Sequence, residues 1–242
     1  TVRVWDPESG TQSMELAGHD GRVLSVGFSP DGLKIVSGGE DGTVRIWDGA
    51  SGKQAAQLEG NNGRVRSVGF SPDGAKLVSG GADGIVHIWD AASRQLAAAL
   101  VGHAGTVLSV GFSPDGAQVV SGGEDSTVRI WNPATGESSG VIDGFLSEIL
   151  SVAWSPDGNL IASGSYDKPV LIWNADGSGP VRVQEGANAG VHTVAWAPDG
   201  NTLAGGSYDN MVRLWEVSNG ELLHTLEGHE DSVLGLAWSP DS

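Results

Sequence analysis

The chain contains no cysteine. Disulfides, thiolate metal sites and cysteine nucleophiles are therefore excluded at once. Basic residues are scarce: 13 Lys and Arg stand against 30 Asp and Glu, for a formal net charge of −17. That balance opposes nucleic acid and anionic membrane surfaces as general partners. No run approaches the ~18 consecutive apolar residues of a membrane-spanning helix. No basic, apolar leader opens the chain, so the expected location is the cytoplasm. No window carries a convincing helical stripe of ten residues. The six histidines show no H-E-x-x-H or other metal spacing, and no glycine-rich loop runs into Lys-Ser or Lys-Thr. The expectation is a protein without metal or cofactor.

Glycine is abundant, at 38 of 242 residues, and points to many tight turns. The length can bury a sizeable core, and residues 1–242 read as a single domain. Self-comparison gives the strongest signal. Trp5, Trp47, Trp89, Trp131, Trp173 and Trp215 stand 42 residues apart, each closing a phrase such as VRVWD or VRIWD. The phrase SPDG begins at Ser29, Ser71, Ser113 and Ser155, with APDG at Ala197 and SPDS at Ser239, again 42 apart. Gly-His marks stand at Gly18-His19, Gly102-His103 and Gly228-His229. No insertion or deletion separates successive markers.

Within a repeat the grammar is β. Residues 23–28, 34–38, 43–47 and 54–58 are short, partly alternating runs. Pro30-Asp31-Gly32 and Asp41-Gly42 supply turn residues between them. Four short strands cannot bury both faces alone, so neighbouring units must stack.

These marks, in phase along essentially the whole chain, resemble the WD-repeat family of β-propellers. The resemblance implies an all-β propeller of four-stranded antiparallel blades. Val2–Trp5 and Gln12–Leu16 take the third and fourth strand phases, five full sets follow, and Val233–Trp238 takes a lone first phase, for 23 strands. Six full units would need 252 residues, ten more than the 242 present. If the ring closes, the terminal strands share a blade lacking its second strand, and the protein is a monomer. The alternative is part of a seven-bladed ring. Either way, an opening in mid-unit suggests a piece of a longer protein.

The resemblance also implies a buried network in each blade. His19, Ser37, Asp41 and Trp47 match it, as do His103, Ser121, Asp125 and Trp131. A Ser-His-Asp trio invites a catalytic reading, but a set that recurs by period and ends on an indole donor reads as structural. The second unit has Asn61 in the histidine slot, the fourth Phe145, and the fifth Ala187 with Gly205 in the serine slot. Gly136-Glu137-Ser138-Ser139-Gly140 spells G-x-S-x-G but sits between two strands, with no helix after it, and reads as a hairpin turn. Phe28, Phe70, Phe112, Trp154, Trp196 and Trp238 share one phase and read as core.

WD-repeat proteins frequently bind partners on the narrow face of the propeller. Carried over by position, that face would hold Arg22, Arg64, Thr106, Glu148, Gly190 and Ser232, then Leu24, Arg66, Leu108, Leu150, His192 and Leu234. Just before the buried acid come Glu40, Ala82, Glu124, Tyr166 and Tyr208. Three of the nine arginines fall in this set, all in the first two units. Arg and Tyr combine contact area with directed hydrogen bonds. The expected function is a non-catalytic scaffold for a protein or peptide. Its acidic end would lie on Arg22, Arg64 and Arg66, and its apolar segment on Tyr166 and Tyr208. Two other readings remain: a hydrolase or lyase site using Glu148, His192 and Glu40 or Glu124, and an amplified or engineered scaffold without a ligand. Residues 23–48 and 107–132 agree at 21 of 26 positions, as segmental duplication would leave them.

Overall fold

The computed structural model describes residues 1–167 and 169–239. It contains 22 strands and no helix among them. The chain divides into two compact units, Thr1–Val107 and Leu108–Ser242.

In the first unit, β1 (Val2–Trp5) pairs with β2 (Gln12–Leu16) as a two-stranded sheet. Two four-stranded antiparallel blades follow. One comprises β3 (Val23–Phe28), β4 (Lys34–Gly39), β5 (Val44–Asp48) and β6 (Gln54–Leu58). The other comprises β7 (Val65–Phe70), β8 (Lys76–Gly81), β9 (Ile85–Asp90) and β10 (Leu96–Val101).

The second unit holds three such blades. They are β11 (Val107–Phe112) to β14 (Ser138–Ile142), β15 (Ile149–Trp154) to β18 (Arg182–Gln184), and β19 (Val191–Trp196) to β22 (Leu222–Leu226). Their inner members are β12 (Val119–Gly123), β13 (Val128–Trp131), β16 (Leu160–Ser165), β17 (Val170–Asn174), β20 (Thr202–Ser207) and β21 (Val212–Glu216).

Each blade is built as the sequence periods require. The SPDG turn joins the first two strands. The Ser29 hydroxyl donates to Asp31 Oδ1 at 2.6 Å and accepts from the Lys34 N–H at 2.8 Å. Gly32 takes φ +70°, which a side chain rarely adopts. The same bonds recur at Ser71, Ser113 and Ser155. The last copy, SPDS, runs from Ser239 into residues outside those described.

The second strand is buried along nearly its whole length, while the fourth is mostly exposed. Blades stack through a small-residue device at the end of the second strand. A Cβ on Gly38 would lie 2.6 Å from Val65, one on Gly122 2.5 Å from Ile149, and one on Gly206 2.6 Å from Val233. Glycine there lets the next first strand press against the sheet. In the first unit Val36, Val44, Ile46, Val65, Val68 and Trp89 form one such seam. In the second, Ala162, Ile172, Val191, Val194 and Trp215 form another.

Two expectations need correction. Val233–Trp238 is not a strand. Its Val233 N–H donates to Ser207 O at 3.1 Å and its Trp238 indole to Ala195 O at 3.0 Å. It thus lies where a first strand would, but among the described residues no second strand pairs with it, and a ladder needs two. Of the fixed-phase aromatics only Trp154 and Trp196 are buried; Phe70, Phe112 and Trp238 are half-buried, and Phe28, with no four-stranded blade before it, is 61% exposed. Trp5, the first of the periodic tryptophans, is 55% exposed.

Candidate partner-binding face

The polar network of the β3–β6 blade is complete. Trp47 Nε1 donates to Ser37 Oγ at 2.8 Å, Ser37 Oγ lies 2.7 Å from His19 Nε2, and His19 Nδ1 lies 3.0 Å from both Asp41 oxygens. With Asp41 ionised, His19 donates from Nδ1 and its Nε2 accepts the serine proton. Burial opposes the Asp41 charge. The Asp20 N–H, the His19 ring, and the Thr43 N–H and hydroxyl outweigh it and hold the carboxyl far below the usual range. This has the connectivity of a Ser-His-Asp triad, but Ser37 is fully buried and its oxygen already accepts the indole. No substrate carbonyl reaches it, and the trio acts as a brace.

The other blades keep the brace with different parts. At the second, Trp89 donates to Ser79 at 2.9 Å and Ser79 to Asn61 Oδ1 at 3.1 Å, while His87 Nε2 meets Asp83 at 3.0 Å. In the β11–β14 blade Trp131 donates to Ser121 at 2.8 Å. Asp125 caps the following turn through Thr127 at 2.9 Å. His103 stands half-buried in the segment after β10, within the other unit. Phe145 replaces the histidine by packing tilted against Trp173, with ring centroids 5.4 Å apart, and Trp173 still donates to Ser163 at 3.0 Å. At the fifth, with neither His nor Ser, Trp215 donates to Glu185 O at 2.8 Å and Arg213 pairs with Asp209 at 2.8 Å.

Sequence reasoning missed the Arg or His four residues after the buried acid: Arg45 on Asp41, His87 on Asp83 and Arg213 on Asp209. The signal was present, because Arg or His stands two residues before the tryptophan in five of the six phrases.

The positions carried over for partner binding gather where first strands start and second strands end. In the first unit, Arg22, Arg64 and Arg66 are exposed and Leu24 is half-buried. Glu40 N–H donates to Arg22 O at 2.9 Å, and its carboxylate accepts the Arg22 N–H at 3.1 Å. Arg64 Nε approaches Glu40 Oε1 at 3.9 Å. The basic sector therefore carries an acid among its arginines.

In the second unit, Tyr166 N–H donates to Glu148 O at 3.1 Å and Tyr208 N–H to Gly190 O at 3.0 Å. These bonds fix the two tyrosines at equivalent strand ends. A Cβ on Gly190 would come within 2.6 Å of the Tyr166 carbonyl oxygen, so glycine permits the close approach. The result is an aromatic trio. Tyr166 and Tyr208 centroids lie 5.4 Å apart, and the His192 ring meets Tyr208 edge-on at 5.4 Å. Tyr166 is 60% exposed and Leu234 equally so. Glu124 and Glu148 are exposed, and Leu108 and Leu150 half-buried. Among the described residues no group of three His, Asp or Glu has the arrangement of a metal site.

Period, blade topology and indole–serine braces define a repeat protein of the β-propeller class. The model of the WD domain, G-beta repeat, matches residues 10–48, 52–90 and 94–132. The model of the anaphase-promoting complex subunit 4 WD40 domain matches residues 152–241. The chain belongs to the WD-repeat family. Coronin-7 of Rattus norvegicus is 38% identical over 42 residues, which is 17% of this chain and 5% of that protein. The chain thus matches a single repeat's length of that much longer relative.

Proposed function

We propose that the chain is a non-catalytic interaction module that holds a protein or peptide where its first strands begin and its second strands end. The observation that carries this reading is the trio Tyr166, Tyr208 and His192: partly exposed aromatic rings packed tilted and edge-on, the two tyrosines fixed by backbone bonds at strand ends. Such anchors lose little entropy on contact and bury much area. This surface takes an apolar or planar segment of the ligand. In the first unit, Arg22, Arg64 and Arg66 take an acidic segment, beside a Glu40 carboxylate that accepts the Arg22 backbone N–H and faces Arg64. Support for a non-catalytic role comes from Ser37, whose hydroxyl is buried in its brace, and from Glu40, whose carboxylate is engaged by Arg22 and Arg64.

The test is capture from a source lysate read by mass spectrometry, with three baits side by side. They are the parent chain, Arg22/Arg64/Arg66→Glu, and Tyr166/Tyr208→Ala. A ligand held by the parent and lost from either variant, with circular dichroism unchanged, is the expected result. Equal capture by all three would place the site elsewhere and overturn the reading.

A further inference from the structure

Asparagine is followed by glycine at two places, Asn62-Gly63 and Asn219-Gly220. Such a pair carries its own chemistry. The side-chain amide carbon is an electrophile, and the backbone nitrogen of the next residue can attack it to close a five-membered imide. Glycine leaves that nitrogen unshielded, because no Cβ stands beside it. A folded chain opposes closure in two ways. It can hold the nitrogen as a hydrogen-bond donor, and it can hold the amide away from it.

The structure separates the two pairs on both counts. Asn219-Gly220 is locked. Gly220 N–H donates to Glu216 O at 2.9 Å within the turn between β21 and β22. Asn219 Nδ2 donates to Glu216 Oε2 at 3.0 Å, and its Oδ1 accepts the Glu221 N–H at 2.8 Å. Attack there must break these bonds first.

Asn62-Gly63 is open. Both residues lie exposed in the segment before β7. Asn62 is anchored through its own N–H, which donates to Asp83 Oδ2 at 3.0 Å. Among the described residues, neither its side-chain amide nor the Gly63 N–H has a hydrogen-bond partner. Gly63 is itself demanded by the fold: it takes φ +120°, and a Cβ there would lie 3.1 Å from Ala82.

Other repeats supply the comparison. Asp20 and Asn188 hold the same place, each giving its N–H at 3.0 Å to the acid of its blade, Asp41 or Asp209. Asp20 shows that a carboxylate is accepted at this place. Asn188 is followed by Ala189, whose Cβ crowds the attacking nitrogen.

We propose that Asn62 is a site of spontaneous deamidation, a one-way charge switch in the first unit. The Gly63 nitrogen loses its proton and bonds to Asn62 Cγ. The Cγ–Nδ2 bond breaks, and the nitrogen takes up a proton and leaves as ammonia. Water then opens the imide at either carbonyl. One opening gives aspartate, and the other gives isoaspartate, in which the main chain runs through the side chain. Each product adds one negative charge two residues before Arg64, and so weakens the hold on an acidic segment. That consequence rests on the reading of Arg22, Arg64 and Arg66 as a ligand surface, whereas the deamidation stands without it.

The whole chain is aged at body temperature and mildly alkaline pH. Peptide mass spectrometry follows each asparagine for the gain of about 1 Da that replacing the amide by an acid produces. Conversion at Asn62 is expected to run at least ~10-fold faster than at Asn219 or Asn188. In concentrated urea the two Asn-Gly pairs should convert at matching rates, while Asn188 stays slow. Equal rates at Asn62 and Asn219 in the folded chain would overturn the proposal. So would an Asn62 that persists in the folded chain and converts only in urea.

The charge switch is read with a short poly-glutamate peptide on fresh chain and on Asn62→Asp, a variant whose fold Asp20 already supports. The expected change is a loss of affinity of about three- to tenfold. Unchanged affinity would overturn the switch. No binding even to fresh chain would overturn the arginine reading instead, and the mass gain at Asn62 would then decide the deamidation by itself.

Discussion

A Cβ placed on Gly205 would come within 2.7 Å of the Trp215 ring. Glycine has taken the place that serine holds in the other blades, and the indole has moved into the space. Trp215 is fully buried and donates instead to the Glu185 carbonyl at 2.8 Å. Restoring the repeat's serine should therefore harm this blade. Gly205→Ser overpacks a closed site and is expected to cost about 1–3 kcal/mol. Urea unfolding with an unchanged slope is the measurement. A rise in stability would mean that the ring swings back onto the new hydroxyl.

The brace at Ser37 makes the opposite prediction. Ser37→Ala leaves the Trp47 indole N–H and the His19 Nε2 without the oxygen they share, in a site closed to water. Orphaning buried polar groups costs about 1–3 kcal/mol each. Ser51→Ala serves as the control, because Ser51 makes the same kind of bond to Asp48 on the exposed surface. The control is expected to shift stability by less than about 0.5 kcal/mol.

These two predictions mark where sequence was sufficient. The strand phases, the SPDG turn and the brace at His19, Ser37, Asp41 and Trp47 all recur by period, and a period forces a local structure on each copy. What the period hides is what an end or a substitution does to a neighbour. Phe28 reads as core because its phase is core. It is exposed because burial belongs to the preceding blade, not to the residue. The coupling of Arg213 to Asp209 is likewise invisible to strand grammar, because their side chains meet across the turn and the start of the third strand. At the proposed binding face, residue types and strand phases were legible, but the Glu40 contacts and the packing of the Tyr166, Tyr208 and His192 rings required coordinates.

Acid should unfold the protein through its depressed carboxyls. Burial opposes the charge on Asp41 and on Asp209. Hydrogen bonds from Asp20, His19 and Thr43 in one case, and Arg213 and Asn188 in the other, still hold both below the ordinary value of 3.8. A carboxyl depressed in the folded state stabilises fully above its unfolded value, and that contribution disappears as pH falls through the folded one. Asp31, Asp73, Asp115 and Asp157 are lowered by their serine hydroxyls and act with the same sign. The urea midpoint is expected to stay level from neutrality to about pH 5 and fall steadily below about pH 4. Asp41→Asn should lower the neutral plateau and flatten part of the acid limb. An acid limb unchanged by Asp41→Asn would show that this residue does not carry the effect.

Tyr166 should separate binding from stability. Its side chain is 60% exposed and rests against Tyr208 at a centroid distance of 5.4 Å. Tyr166→Ala is expected to change stability by less than about 1 kcal/mol, the scale of an aromatic pair. It should cost the captured ligand about 2 kcal/mol or more if the tyrosine is an anchor. Gly190→Ala tests the same geometry from beneath, because its methyl group must displace the Tyr166 carbonyl. Isothermal titration with the captured ligand and thermal melts of both variants supply the comparison. Equal losses in binding and stability would make the tyrosine structural.

Glu40 competes with any acidic ligand for the first unit's arginines. It reaches Arg64 at 3.9 Å and accepts the Arg22 N–H at 3.1 Å. The Arg64 side chain is 57% exposed, so the ion pair contributes little, within about 0–1 kcal/mol. Glu40→Gln keeps an oxygen for the Arg22 N–H and removes the charge. Its melting temperature is expected to remain within a degree or two of the parent. Binding of a short poly-glutamate peptide should tighten about three- to tenfold, because one repulsive carboxylate leaves the surface and Arg64 is released. The gain should shrink as sodium chloride rises toward ~1 M, where the screening length falls to about 3 Å. A gain insensitive to salt would mean that Glu40→Gln acts through the strand ends rather than through charge. No gain at low salt would mean that acidic segments do not use this sector.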